Sequence, residues 1–203
     1  MQDFFQFGIA VVIISASGVM SPGPLFVATI TNGIKQGAKA GLKIALGHTL
    51  IELPLVILIG LGILSLGAVP QFRILIGILG ALSLFGFAGL QIRSILKNDS
   101  AQSKSKYGSF FTGILLTGLN PFFLIWWFTI GFKLISDALL LWSISGILIM
   151  FGLHIWMDYA WLVLVSFLSS RGRVFLSNKR YKMCMIGINS ILIYFGISFI
   201  LQV

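Results

Sequence analysis

The sequence predicts an all-α membrane protein of six transmembrane helices, built as an inverted 3+3 repeat in which helices one and four are broken. Of 203 residues, 58% are hydrophobic and only 9% are charged, and the mean hydropathy is +1.04; a soluble domain carries roughly 25% charged residues. The apolar length suffices for six spans of about 20 residues, and little chain is left for a domain outside the bilayer. Proline-containing breaks and acid–imidazole pairs also recur in the same order along the two halves.

The first span is expected over 4–32. The run begins Met1-Gln2-Asp3 without the basic start of a signal peptide and stays apolar past Ser21, so it reads as a retained span. Ser21-Pro22-Gly23-Pro24 interrupts it. Two prolines remove two backbone donors, and inside a bilayer such a break survives only where protein or a wet cavity satisfies the freed groups. Lys35, Lys39 and Lys43 mark the first loop and the start of span two, 38–66. One face of that helix reads Gly37, Gly41, Ala45, His48, Glu52. Small residues there would let another helix approach closely, with the polar pair pointing into the same interface. A turn over 67–73, containing Pro70, leads to span three, 72–96.

Residues 98–108 form a polar cytoplasmic hinge between a first three-helix unit, 1–97, and a second, inverted one, 109–203. Span four, 109–131, is broken at Asn120-Pro121. A turn near Lys133–Asp137 precedes span five, 138–169, and a basic loop precedes span six, which runs to the C-terminus.

A net charge of +9 would suggest nucleic acid in a soluble protein. Here the cations sit in short loops. The first, third and fifth loops hold three, four and five Lys or Arg, and the second and fourth hold only Arg73 and Lys133. The basic side is cytoplasmic by the positive-inside rule, which puts both termini outside a cytoplasmic (inner) membrane. Cys184 is the single cysteine, so no disulfide framework or thiolate metal site can be drawn. No nucleophile elbow or phosphate-cradling glycine loop occurs, and neither an enzyme activity nor a cofactor is expected.

The chain has two histidines and five acidic residues. Both histidines, and the only acidic residues embedded in long apolar runs, form the pairs His48/Glu52 and His154/Asp158. Three correspondences suggest the repeat: Pro22 and Pro24 with Asn120-Pro121, His48/Glu52 with His154/Asp158, and Gly80-x8-Gly89 with Gly187-x8-Gly196. Units of three spans enter the membrane in opposite senses, and inverted repeats with interrupted helices and midplane polar groups are the pattern of secondary transporters. Counted from the cytoplasmic ends of spans two and five, His48 and Asp158 lie roughly 15–16 Å deep, and Glu52 and His154 roughly 21–22 Å. Facing antiparallel helices would set His48 level with Asp158 and Glu52 level with His154.

With Ser21-Pro22-Gly23-Pro24, the Lys-rich first loop, Asn120-Pro121 and six spans in about 200 residues, the chain resembles the lysine exporter family, the LysE/RhtB amino-acid exporters, over essentially its full length. Pro-Gly-Pro is the most specific element of the likeness. Family members commonly follow the second Asn-Pro with Lys, where this chain has Phe122, and many carry the span-two acid without a paired histidine. The resemblance implies export of amino acids or related small solutes, driven by the proton gradient.

On this reading the broken helices offer positive dipole ends around Gly23, Pro24 and after Pro121, which suit a carboxylate. Glu52 and Asp158 suit an ammonium and protons, and the histidines could share protons with them. Trp126, Trp127, Trp156 and Tyr159 would wall the cavity. The plainer alternative for the His–carboxylate pairs is a structural hydrogen bond joining helices two and five. A different functional class is a divalent metal exporter, since His48, Glu52, His154 and Asp158 form an N/O ligand set. The expected partners are a small amino-acid-like solute, protons and lipid, with no nucleic acid; so small a bundle is also compatible with a homodimer.

Overall fold

The computed structural model describes residues 2–21, 23–62, 78, 81–82, 84–86, 88–89, 92–93, 108–172 and 178–201. Among these every element is helical: α1 (Gln2–Val19), α2 (Pro24–Gln36), α3 (Ala38–Gly60), α4 (Ser109–Gly118), α5 (Pro121–Trp126), a π-helical turn (Trp127–Gly131), α6 (Phe132–Gly172) and α7 (Asn178–Leu201). Pro22, Gly80, most of the expected third span and the hinge 98–107 lie outside the described residues.

Both expected breaks are present. α1 stops at Val19, α2 starts at Pro24, and the two helices are bent by 74°. Proline at the first position of α2 sacrifices only an N–H that would be orphaned anyway. α4 stops at Gly118 and α5 restarts at Pro121 in the same way. Besides the bent α1/α2 pair, two stretches among the described residues are long and apolar enough to cross a membrane, Ala38–Gly60 and Pro121–Gly172.

The turn expected near Lys133–Asp137 lies elsewhere. Those residues are helical and joined by a 2.7 Å ion pair one turn apart. The chain reverses at Trp142–Ser143 instead, where Ser143 takes φ 53°. A positive φ on a residue with a Cβ cannot continue a right-handed helix. α6 is therefore two arms, 132–141 and 144–172, held close because Gly146 has no side chain to meet the Ala138 carbonyl. The helix expected as span four accordingly runs on to residue 141, and the helix expected as span five starts at 144.

α3 is central, packed along α4 on one side and the second arm of α6 on the other. Glycines set those distances. A Cβ on Gly47 would strike the Phe110 carbonyl, one on Gly113 the Ile44 carbonyl, and one on Gly41 the Leu162 carbonyl. On α2, a Cβ on Gly33 would stand 2.6 Å from the Ser166 Cα. Small residues of this kind let membrane helices meet backbone to backbone. The first loop is a one-residue turn at Gly37, φ 66°, between α2 and α3. Ser166 clasps it, donating to the Gly37 carbonyl at 2.6 Å and accepting from the Gly41 N–H, an otherwise orphaned donor, at 3.1 Å.

The glycine spacing expected to match spans three and six has a narrower role. A Cβ on Gly89 or Gly187 would meet nothing within 4 Å, whereas one on Gly196 would stand 2.6 Å from the Phe85 ring. One apolar cluster joins α1, α3, the π-turn and both arms of α6 around Val11, Val56, Trp127, Ile135 and Met150. A second joins α2 to Ala81, Leu84, Ala88 and Leu116.

These contacts predict that Gly47→Val forces α3 and α4 apart, at about 1–3 kcal/mol or more of overpacking. Gly8→Ala, whose Cβ would meet nothing within 4 Å, serves as the control. The expected result is a lowered melting temperature in detergent, with loss of the monodisperse peak, for Gly47→Val only.

Candidate functional site

Gly41 against Leu162, His48 near Asp158, Glu52 near His154 and Gly60 against Ile147 show that α3 and the second arm of α6 run antiparallel. An (i, i+4) spacing puts His48 and Glu52 on one face of α3, and His154 and Asp158 on one face of α6. The two faces meet. His48 Nε2 lies 3.2 Å from Glu52 Oε1 and 3.7 Å from Asp158 Oδ1. His154 Nε2 lies 3.2 Å from Glu52 Oε1 and 3.2 Å from Asp158 Oδ2. All four side chains are buried.

Alignment separates hydrogen bonds from mere proximity. His154 Nε2 bonds Glu52 Oε1, and the Trp127 indole N–H donates to the same oxygen at 3.1 Å. His48 Nε2, Glu52 Oε2 and Asp158 Oδ2 are buried without a hydrogen-bond partner, although ions of opposite type stand within 4 Å of two of them. The other ring nitrogens are fixed: His48 Nδ1 pairs with Thr117 Oγ1 and His154 Nδ1 with Ser15 Oγ, each at 2.8 Å. A carboxylate only accepts, so His154 carries its proton on Nε2, and in the neutral ring Nδ1 accepts from the Ser15 hydroxyl.

The four groups border a cavity of about 340 Å³ that reaches both helix breaks, with Ser21, Gly23 and Pro24 at one and Asn120 at the other. Pro121 occupies the first turn of α5 just beyond Asn120. The breaks differ chemically. At α5 the Asn120 side chain caps its own helix, accepting from the Phe122 N–H at 3.1 Å. At α2 the capping residue is Gly23, which supplies no side chain, and Leu25 and Phe26 line the cavity. The helix end expected after Pro121 is thus partly used internally, and the end after Gly23 is the open one.

The aromatic wall also differs from expectation. Trp126 lines the cavity, with its indole on Ser17 Oγ at 3.3 Å and its ring against Gly18. Trp156 does not: it is 53% exposed on the outer surface of α6. Tyr159 also turns away, accepting from Thr49 Oγ1 at 3.2 Å beside a separate apolar groove. At this register the inward positions of α6 are His154, Asp158 and Trp161, and residues 156 and 159 fall on other faces. Phe26, Phe123 and Trp161 complete the wall.

Residues 16–203 match the family described as LysE type translocator. The chain belongs to that family. Neither a curated protein nor a solved structure matches it. Family membership and the apolar helices make this LysE-type translocator a multi-pass membrane transporter acting on a small-molecule substrate.

Three participants in this candidate site have contacts that the sequence does not announce. Ser15 and Thr117 are two of several hydroxyls in apolar helices, with no local signal beyond their position a few residues before each break. Trp127, expected as wall, borders the cavity but is fully buried and bonded to Glu52. The π-turn supplies the reason: its wide turn seats the Trp127 ring against Gly131, where a Cβ would not fit, and π-turns are frequent at functional sites.

Trp127→Phe keeps the ring and removes the N–H. The expected cost is about 1–2 kcal/mol, because a buried carboxylate oxygen loses a donor. Thermal melts in detergent check it, with Trp126→Phe, whose indole bonds an exposed serine, as the milder comparison.

Proposed function

We propose that this translocator exports amino acids or related small zwitterionic solutes across the cytoplasmic membrane by proton antiport. One observation carries the reading: a single cavity joins the uncapped start of α2 to two buried carboxylates, so opposite charges of one zwitterion find opposite partners. The substrate carboxylate would take the free N–H groups of Leu25 and Phe26 at the positive end of α2. The ammonium would take Glu52 Oε2 and Asp158 Oδ2, the oxygens without hydrogen-bond partners. Neither charge would then be buried unpaired.

Protons would use the same oxygens when the substrate has left. His48 and His154 stand within 4 Å of both carboxylates and can relay a proton between them. Exchange of one cation for another at a shared site is the simplest antiport. The pattern of anchors supports two inverted units, 1–97 and 109–203. Thr117 before the second break holds His48 of the first unit, and Ser15 before the first break holds His154 of the second. Basic loops on one side favour both termini outside.

A second reading has an observation behind it. His48, Glu52 and Asp158 each offer a ligand atom, and these lie within 4.8 Å of one another, an N/O set suited to a divalent transition metal as cargo.

The deciding experiment is substrate efflux from loaded vesicles across amino-acid and metal panels. Glu52→Gln and Asp158→Asn are each expected to lower amino-acid efflux at least tenfold, and acidifying the outside should accelerate the wild type only. Unchanged efflux in both variants would remove the site assignment, and efflux of metal alone would favour the second reading.

A further inference from the structure

We propose that the cargo is an amino acid with an uncharged, apolar side chain, and that lysine, arginine and glutamate are excluded. The inference rests on the amino-acid reading of the same cavity and names the substrate class. It follows from a charge census. Of five acidic residues, Asp3 opens α1, Asp99 lies in the polar hinge and Asp137 is bound to Lys133. Glu52 and Asp158 are the only carboxylates among the described residues that line the cavity, and no Lys or Arg among them lines it.

Those two carboxylates make one cation pocket, not two. Their ligand atoms and that of His48 lie within 4.8 Å of one another. A substrate α-ammonium fills that pocket. The second cation of lysine or arginine, held away by its own side chain, would then face a wall in which the described residues supply no further carboxylate. A carboxylate side chain such as that of glutamate would meet no cation among the described lining residues beyond the imidazoles, both of which already stand 3.2 Å from Glu52 Oε1. Burying an ion without a partner costs several kcal/mol, more than enough to exclude it.

The rest of the wall selects positively. Phe26 stacks on Trp161 with ring centroids 6.1 Å apart, Phe123 stands edge-on to His48 at 5.3 Å, and Trp126 closes against Gly18. At about 30 Å³ per water, the 340 Å³ cavity equals about eleven waters. That accommodates a leucine-, methionine- or phenylalanine-sized molecule. Apolar side chains gain from such a wall in proportion to the area they bury.

The test is counterflow in liposomes holding the purified full chain, with radiolabelled leucine, methionine, phenylalanine, threonine, lysine, arginine and glutamate. Leucine, methionine or phenylalanine should exchange at least tenfold faster than lysine, arginine and glutamate. Lysine or arginine exchanging within threefold of leucine, or threonine exceeding all three apolar substrates, would overturn the inference and leave amino-acid export standing. Exchange of no amino acid would overturn both. Phe26→Glu, which adds a carboxylate to the wall, should raise the lysine-to-leucine ratio at least tenfold. Should that variant fail to fold, the wild-type panel decides alone.

Discussion

Two carboxylates and two imidazoles, shared between α3 and the second arm of α6, form the buried polar centre that the surrounding packing must accommodate. None of the four could be buried alone without a cost of several kcal/mol. Each carboxylate stands within 4 Å of both histidines, so partial charges are matched across the helix interface and not only along one helix. That sharing requires the helices to be close, which explains the glycines. Gly41 on α3 and the Leu162 backbone on α6 touch two turns from His48 and one turn from Asp158. A bulkier interface would leave four expensive groups facing a gap.

Compensation within the tetrad is incomplete, and that is chemically useful. Glu52 Oε1 collects the Trp127 indole and the His154 ring, while Glu52 Oε2 and Asp158 Oδ2 have no hydrogen bond. A fully satisfied cluster would be structural glue of the ordinary kind found between membrane helices. Here one side is tied to tryptophan and to hydroxyls from α1 and α4, and the other keeps acceptors in reserve at a cavity wall. The ties fix ring orientation, so the tetrad's geometry is preset.

The two helix breaks resemble each other in sequence and differ in chemistry. Both place proline in the first turn of the resumed helix. The Asn120 side chain caps its own helix end, and Gly23 has no side chain to do the same. Under the proposed function, the asymmetry would give a zwitterion a direction, with its anionic end near α2 and its cationic end near Glu52 and Asp158.

Much of this was readable in order along the chain. Hydropathy fixed the helical membrane class, proline fixed where helices one and four break, and a four-residue spacing fixed that His48 and Glu52 share a face, as do His154 and Asp158. Those are local properties, set by backbone sterics and by the 3.6-residue turn. Other features had no local cause. The reversal at Ser143, with no glycine or proline at the turn itself, accompanies the two arms of α6 closing over Gly146 and Ala138. The outward turn of Trp156, the pairing of Tyr159 with Thr49, and the choice of Ser15 and Thr117 as histidine partners depend on which helix faces which. A sequence states what each face of a helix carries; only the assembled bundle decides what that face meets.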